Sequence, residues 1–250
     1  MLRDAAAAIS LFTRIPAWRI VRVDKCNYDN AVSFWPVTGW VTGGVTALCL
    51  WLFSFVMPVT VAVILSLTAR LLLTCALHED GLADFCDGFG GGYDKGKILA
   101  IMKDSHIGTY GVIGLTVYFL LMVSVLSSLQ PILAATAVFA ADPFAKLCAG
   151  QLTNLLPYAR PEGAKNKLTY SRMSPLRLTV MVATGVLPTL PLMMSGAWMA
   201  LSLLSPLCVL ILMTLYLRRK IGGYTGDCCG ATFLLCEVSL LLATLITHSL

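Results

Sequence analysis

Seven long, uninterrupted apolar runs divide the chain, at residues 37–57, 59–77, 107–129, 132–150, 178–195, 198–217 and 231–247. Each is close to the roughly 20 residues an α-helix needs to cross a hydrocarbon core about 30 Å thick. A membrane β-strand needs only about 10 residues and alternates apolar with polar side chains, so continuous runs of this length exclude a barrel. Charged residues make up 12% of the chain, against about 25% in a soluble domain, and the mean hydropathy is +0.81. The runs specify an all-α, polytopic membrane helix bundle of about seven transmembrane helices, one integral membrane domain over residues 1–250.

Charge placement orients these helices. Of the 18 lysines and arginines, five lie in residues 3–25, three in 95–103, five in 160–177 and three in 218–220. The connections at Pro58, Gln130-Pro131 and Gly196-Ala197 carry none. With the N-terminus in the cytoplasm, seven crossings put every basic segment inside and every short connection outside, as the positive-inside rule requires. This predicts a multi-pass protein of the cell (cytoplasmic) membrane. Residues 1–30 form an N-terminal interfacial segment: Ala5 to Phe12 is a short apolar stretch followed by Arg14, Arg19 and Arg22 without a cleavage-type site, which suits a surface helix better than a secretory signal. The net charge of +5 follows from this bias and does not argue for nucleic-acid binding. Nine scattered cysteines without a CxxC pair read as small apolar side chains rather than disulfides or zinc ligands.

With external connections this short, chemistry belongs on the cytoplasmic loops 78–106, 151–177 and 218–230. The first holds six of the 13 acidic residues. If the helix of the second run continues through His78-Glu79-Asp80-Gly81-Leu82-Ala83-Asp84-Phe85-Cys86-Asp87-Gly88, then Asp80, Asp84 and Asp87 fall within an arc of about 60°. Three carboxylates on one face repel unless a cation sits among them, and a hard divalent ion with oxygen ligands is the natural candidate. After the flexible Gly88–Gly92 stretch, Lys103-Asp104-Ser105-His106 leads into the third run, whose first amides and helix dipole favour an anion. Carboxylates beside a cationic, amide-rich helix start would hold a metal-chelated diphosphate. A calcium loop is a poorer reading, because the spacing departs from the EF-hand pattern.

The second loop carries Tyr158-Ala159-Arg160, then Pro161-Glu162-Gly163, Lys165, Lys167, Arg172 and Arg177. Arg160 is its best phosphate contact, since a guanidinium matches phosphate oxygens bidentately. The third, Gly222-Gly223-Tyr224-Thr225-Gly226-Asp227, adds a second phosphate or metal contact. Two cations, Arg70 and Lys146, lie inside apolar runs; either they snorkel to the surface or they face a polar cavity, with Asp142 and Lys146 paired at i, i+4.

These blocks resemble a known family. Phe12-Thr13-Arg14-Ile15-Pro16, Phe34-Trp35-Pro36-Val37-Thr38-Gly39, the His78–Asp84 string through Asp87-Gly88, Met102-Lys103-Asp104-Ser105-His106-Ile107-Gly108-Thr109-Tyr110-Gly111, Tyr158-Ala159-Arg160 and Thr225-Gly226-Asp227 are similar, in order, to the cobalamin synthase family, the adenosylcobinamide-GDP ribazoletransferases. The match covers residues 12 to 230, and its most specific parts are the acidic block and Lys103–Gly111. Two departures are Lys146, where the family carries arginine, and Pro161-Glu162-Gly163-Ala164 in place of a glycine-rich continuation.

The resemblance implies a Mg²⁺-dependent transfer of α-ribazole, or its 5′-phosphate, to adenosylcobinamide-GDP with release of GMP. This is the last assembly step of coenzyme B12. It implies Mg²⁺ on Asp80, Asp84 and Asp87, with Asp104 as a further catalytic carboxylate. One acid free of metal would act as base toward the ribose 5′-hydroxyl. Arg14, His78, Lys103, His106, Arg160 and Asp227 are the implied substrate contacts. The implied partners are the two small-molecule substrates and the bilayer, with self-association or contact with other corrinoid-pathway enzymes as a further expectation. A CDP-alcohol phosphotransferase is the nearest alternative, but Asp84 stands where that pattern wants arginine, and its later aspartate pair is absent. A transporter needs polar sites near midplane reachable from both sides, whereas here the polar residues load one face.

Overall fold

The computed structural model describes residues 1–160 and 173–249. Ten helices carry its architecture: α1 (Leu2–Phe12), α2 (Trp35–Phe53), α3 (Val59–Thr74), α4 (Leu77–Gly91), α5 (Lys95–Ile101), α6 (Thr109–Ser128), α7 (Pro131–Gly150), α8 (Pro175–Val186), α9 (Leu204–Lys220) and α10 (Gly226–His248). Among the described residues, six helical segments are long and apolar enough to cross a membrane, and α3 with α4 makes a seventh when the bent pair is taken as one span. The expected polytopic helical bundle is present.

The central helix is α7, nearly every residue of which is buried. Its alanines (Ala134, Ala137, Ala140, Ala141, Ala145 and Ala149) are fully enclosed. In lipid there is no hydrophobic drive between helices, so small residues that let backbones approach supply the packing energy. The contact with α2 shows this directly: a Cβ on Gly39 would stand 2.7 Å from Pro143 Cα and 2.9 Å from the Asp142 carboxylate.

That close approach seals a polar cluster. Thr42 donates to Asp142 at 2.8 Å, and Lys146 Nζ lies 2.7 Å from Thr42 Oγ1 and 2.5 Å from Asp142 Oδ1. A second cluster joins α3, α6 and α10. Arg70 reaches Glu237 at 2.5 Å and Tyr118 at 2.7 Å, and Tyr118 donates to Glu237 at 2.8 Å. Arg70 and Lys146 are 2% and 1% exposed, so neither snorkels. Both are neutralised inside protein, as ions at membrane depth must be, and Asp142 and Lys146 pair as their spacing suggested.

The second apolar run behaves differently from its sequence reading. α3 ends at Thr74 and α4 leaves it at 91°. At 1.5 Å per residue its 16 residues span only about 24 Å. The elbow is made by Cys75 and Ala76, both left-handed at φ 55° and 53°, a conformation that disfavours each L-residue by about 1–2 kcal/mol. A local cap and a contact from a distant segment hold it. The Ala76 amide donates to Leu71 O at 3.1 Å, and the Arg14 amide donates to Leu73 O at 2.8 Å. With no glycine or proline at 74–77, nothing local announced the break. The acidic block is therefore a helix of its own, laid across the starts of α10 and α6.

The N-terminal segment is docked on protein. Ala6, Ala7, Ala8 and Phe12 of α1 are buried, and buried Asp4 accepts from Asn27 at 2.7 Å and Asn30 at 3.4 Å. Burial opposes ionisation of Asp4, but these donors outweigh it and hold its carboxyl below the usual range. Arg14, Arg19 and Arg22 remain exposed.

Candidate active site

The polar segments meet at one end of the bundle. Residues 157–160 and 223–224 form a short parallel bridge, Ala159 N donating to Tyr224 O at 2.8 Å and Tyr224 N to Pro157 O at 2.9 Å. Gly223 is required there, because a Cβ would press within 2.4 Å of Pro157 O. The bridge places Arg160 beside Asp227, with Nη2 3.9 Å from Oδ2. Arg160 also donates to Leu99 O at 3.3 Å, which joins the α5 region to the other two segments. Its buried Nε finds no acceptor among the described residues.

Asp227 lies in the first turn of α10, which starts before the expected 231–247 run, with Thr225 as N-cap accepting from the Cys228 amide at 3.3 Å. A carboxylate suits that helix start. Against this turn lies α4: a Cβ on Gly81 would come within 3.2 Å of Asp227 Cα. Asp80 and Asp84 flank Gly81 on α4, the first exposed and the second half-buried. The structure thus seats α4, at the residue between Asp80 and Asp84, on the turn where Arg160 and Asp227 meet.

Asp87 has a different task. Buried against the start of α6, its two oxygens accept the Gly108 amide at 2.7 Å and the Gly111 amide at 2.8 Å. The amides expected to receive an anion hold this carboxylate instead, so the anion at the α6 N-terminus is part of the protein. Asp87→Ala leaves the buried Gly111 amide and the part-buried Gly108 amide without their acceptor, at about 1–3 kcal/mol for the buried one. It is expected to lower the unfolding midpoint in detergent and to raise hydrogen exchange at 108–111. A midpoint matching wild type would remove this assignment.

His78 is likewise displaced from a ligand-facing role. It is 4% exposed and packs among Phe12, Trp35 and Phe233 at ring separations of 6.3, 5.6 and 4.8 Å, which makes it part of the core. Lys103 and His106 are exposed on the turn between α5 and α6. The His106 ring lies 2.7 Å from Asp104 and its amide also donates there at 3.1 Å. The ring contact, followed by the amide, holds the Asp104 carboxyl below its usual range. Arg14 sits at the elbow, its Nε donating to Cys75 Sγ. Pro161, Glu162, Gly163, Lys165, Lys167 and Arg172 lie outside the described residues.

Next to the acidic face is a cavity of about 670 Å³ between α1, α3, α4 and α6. Aliphatic and aromatic side chains, including Leu11, Leu71, Leu115 and Phe119, form most of its wall, and its acidic lining residues are Glu79 and Asp80. Glu79 is 4% exposed and 3.7 Å from Arg70, and its Oε2 accepts no hydrogen bond from the described residues. Glu79 points about 100° away from Asp80 on the same helix and so falls outside the three-aspartate pattern. The available signal was Arg70, whose burial demanded nearby carboxylates.

Among the described residues, no three histidine, cysteine, aspartate or glutamate side chains stand together to hold a metal. That donor set still fits Mg²⁺, which is bound through one or two carboxylates plus substrate phosphates rather than in an all-protein cage. Asp80 and Asp84 offer those two hard oxygen ligands.

The model of the cobalamin-5-phosphate synthase family matches residues 4–245. The chain belongs to that family. Curated relatives of the family named adenosylcobinamide-GDP ribazoletransferase include those of Shewanella sp. (strain W3-18-1) and Shewanella putrefaciens, each 37% identical over 97% of this chain and 94% of the relative. The Shewanella oneidensis relative is 36% identical over 92% of this chain and 89% of its own. No solved structure matches the chain. Family membership makes this membrane protein an enzyme of cobalamin assembly and resolves the choice against a transporter or a CDP-alcohol phosphotransferase.

Proposed function

We propose that the chain transfers α-ribazole, or its 5′-phosphate, to adenosylcobinamide-GDP and releases GMP, with Mg²⁺ as cofactor. The observation that carries this reading is the packing of α4, which bears Asp80 and Asp84 on either side of Gly81, against the α10 turn where Asp227 faces Arg160. Opposite charges brought together at one end of a membrane bundle can hold a diphosphate and its counter-ion. The clustering of basic segments on the polar loops supports placing this end in the cytoplasm, with the enzyme in the cell membrane.

In the transfer, a ribose oxygen forms a bond to the phosphorus attached to the cobinamide arm. The bond from that phosphorus to the bridging oxygen breaks, GMP departs with the bridging electrons, and the hydroxyl proton passes to a carboxylate. The family description names a 5-phosphate product, so in the phosphorylated acceptor the 5′ position is already esterified and another ribose hydroxyl attacks. This corrects the 5′-hydroxyl expectation. Mg²⁺ held by Asp80 and Asp84 would neutralise charge on the diphosphate and the departing GMP. Arg160 offers its Nε–H, which finds no acceptor among the described residues, to a phosphate oxygen, Asp227 orients the guanidinium, and Lys103 and Arg14 add positive charge to the approach.

Incubating purified protein in lipid nanodiscs with both substrates and Mg²⁺ is expected to yield GMP and the corrinoid product in equal amounts. No GMP at any Mg²⁺ concentration would overturn the reading.

A further inference from the structure

The cavity beside the acidic face shares Asp80 with the proposed metal site, but its wall does not suit the diphosphate itself. Its charged lining residues, Glu79 and Asp80, are both acids, and most of its wall is hydrocarbon. A phosphate placed there without a cation would be repelled by the carboxylates and stripped of water by the wall, so of the two acceptors the unphosphorylated nucleoside is the one that fits. A neutral molecule with a flat apolar body and hydroxyl donors meets the opposite situation. Its body replaces water on the aliphatic wall, and its hydroxyls find carboxylate acceptors. Glu79 supplies an acceptor that no described residue uses: Oε2 is buried without a hydrogen bond while Oε1 faces Arg70 at 3.7 Å. An unsatisfied buried carboxylate oxygen is disfavoured by about 1–3 kcal/mol or more, which points to a ligand that completes it.

We infer that this cavity is the subsite for the ribazole nucleoside, its aromatic base between Leu71, Leu115 and Phe119 and a ribose hydroxyl donating to Glu79. This rests on the transfer proposed above and deepens it. The diphosphate of adenosylcobinamide-GDP does not suit this lining in the absence of a cation. The volume of about 670 Å³ lies within the range of roughly 300–1,000 Å³ typical of small-molecule sites. Asp80 belongs both to the cavity lining and to the acidic face, so a nucleoside seated here presents its ribose where the diphosphate is held. Proximity of that kind supplies a large share of the rate in a two-substrate displacement.

The test is equilibrium binding of α-ribazole to the whole protein in nanodiscs, read without the second substrate and so independent of turnover. Leu115→Trp and Ala83→Met fill the cavity from opposite helices without altering its charge, and Glu79→Gln weakens the acceptor. Each is expected to weaken ribazole binding by about tenfold or more, equivalent to about 1.4 kcal/mol, while guanine-nucleotide affinity is retained. Unchanged ribazole affinity in both filled variants overturns the assignment, as does loss of a co-purifying lipid from the cavity as their sole effect in native mass spectrometry. A wild type that binds ribazole but never releases GMP leaves the subsite standing and overturns the transfer instead.

Discussion

Asp84→Asn is expected to lower ribazole transfer by about 10³-fold, some 4 kcal/mol of transition-state stabilisation, with membrane insertion and unfolding midpoint close to wild type. The amide keeps the size and hydrogen-bonding capacity of the side chain but loses the charge that a hard divalent ion requires. Asp84 is half-buried beside Gly81, the residue that seats α4 on the first turn of α10, so the change touches the reacting face without opening the core. Single-turnover GMP release over a Mg²⁺ titration is the measurement, with circular dichroism and thermal unfolding in the same detergent as the control. Asp87→Ala gives the contrast three residues away: stability falls there because two amides lose their acceptor. Near-normal turnover in Asp84→Asn would remove the metal assignment from α4.

Arg70→Met should be the most destabilising single change among the spans. It strands Glu237, which is fully buried, and removes from Glu79, at 4% exposure, the cation it faces at 3.7 Å. Removing one partner of a buried ion pair is disfavoured by about 3–5 kcal/mol, because the remaining charge stays desolvated. Replacing both partners, Arg70→Met with Glu237→Leu, should recover much of that loss, since an apolar pair leaves fewer polar groups uncompensated. Chemical unfolding of the wild type, the two single variants and the double variant in one detergent forms the cycle. Additive losses would show that the two side chains act separately.

The acidic helix shows how far local pattern reaches. The spacing of Asp80, Asp84 and Asp87 put three carboxylates near one helical face, and the residues do occupy one helix, α4. Yet each of the three meets a different neighbour. Asp87 meets the amides of α6, Asp80 the cavity and Asp84 the side next to α10. Helical angle is a local property, whereas the surface a helix face meets is set by residues far along the chain. The same limit hid the role of His78, whose companions Phe12, Trp35 and Phe233 come from three other parts of the sequence.

Hydropathy and charge along the chain were sufficient by themselves for the all-helical membrane class, for the approximate spans, and for the expectation that chemistry gathers on the polar loops. Each depends on transfer from water to lipid, which is summed residue by residue over a short window. The family motifs added the reaction. Only the tertiary structure decided where the second run breaks, because the left-handed pair Cys75-Ala76, disfavoured by its own preferences, is braced by the distant Arg14, whose side chain reaches Cys75 and whose amide reaches Leu73. It also decided which charges are structural, since the partner of Arg70 lies 167 residues away. Joining Arg160 to Asp227 through a bridge between two loops was its third decision. In each case a residue's energy depends on what is packed against it, and packing is fixed when the chain folds.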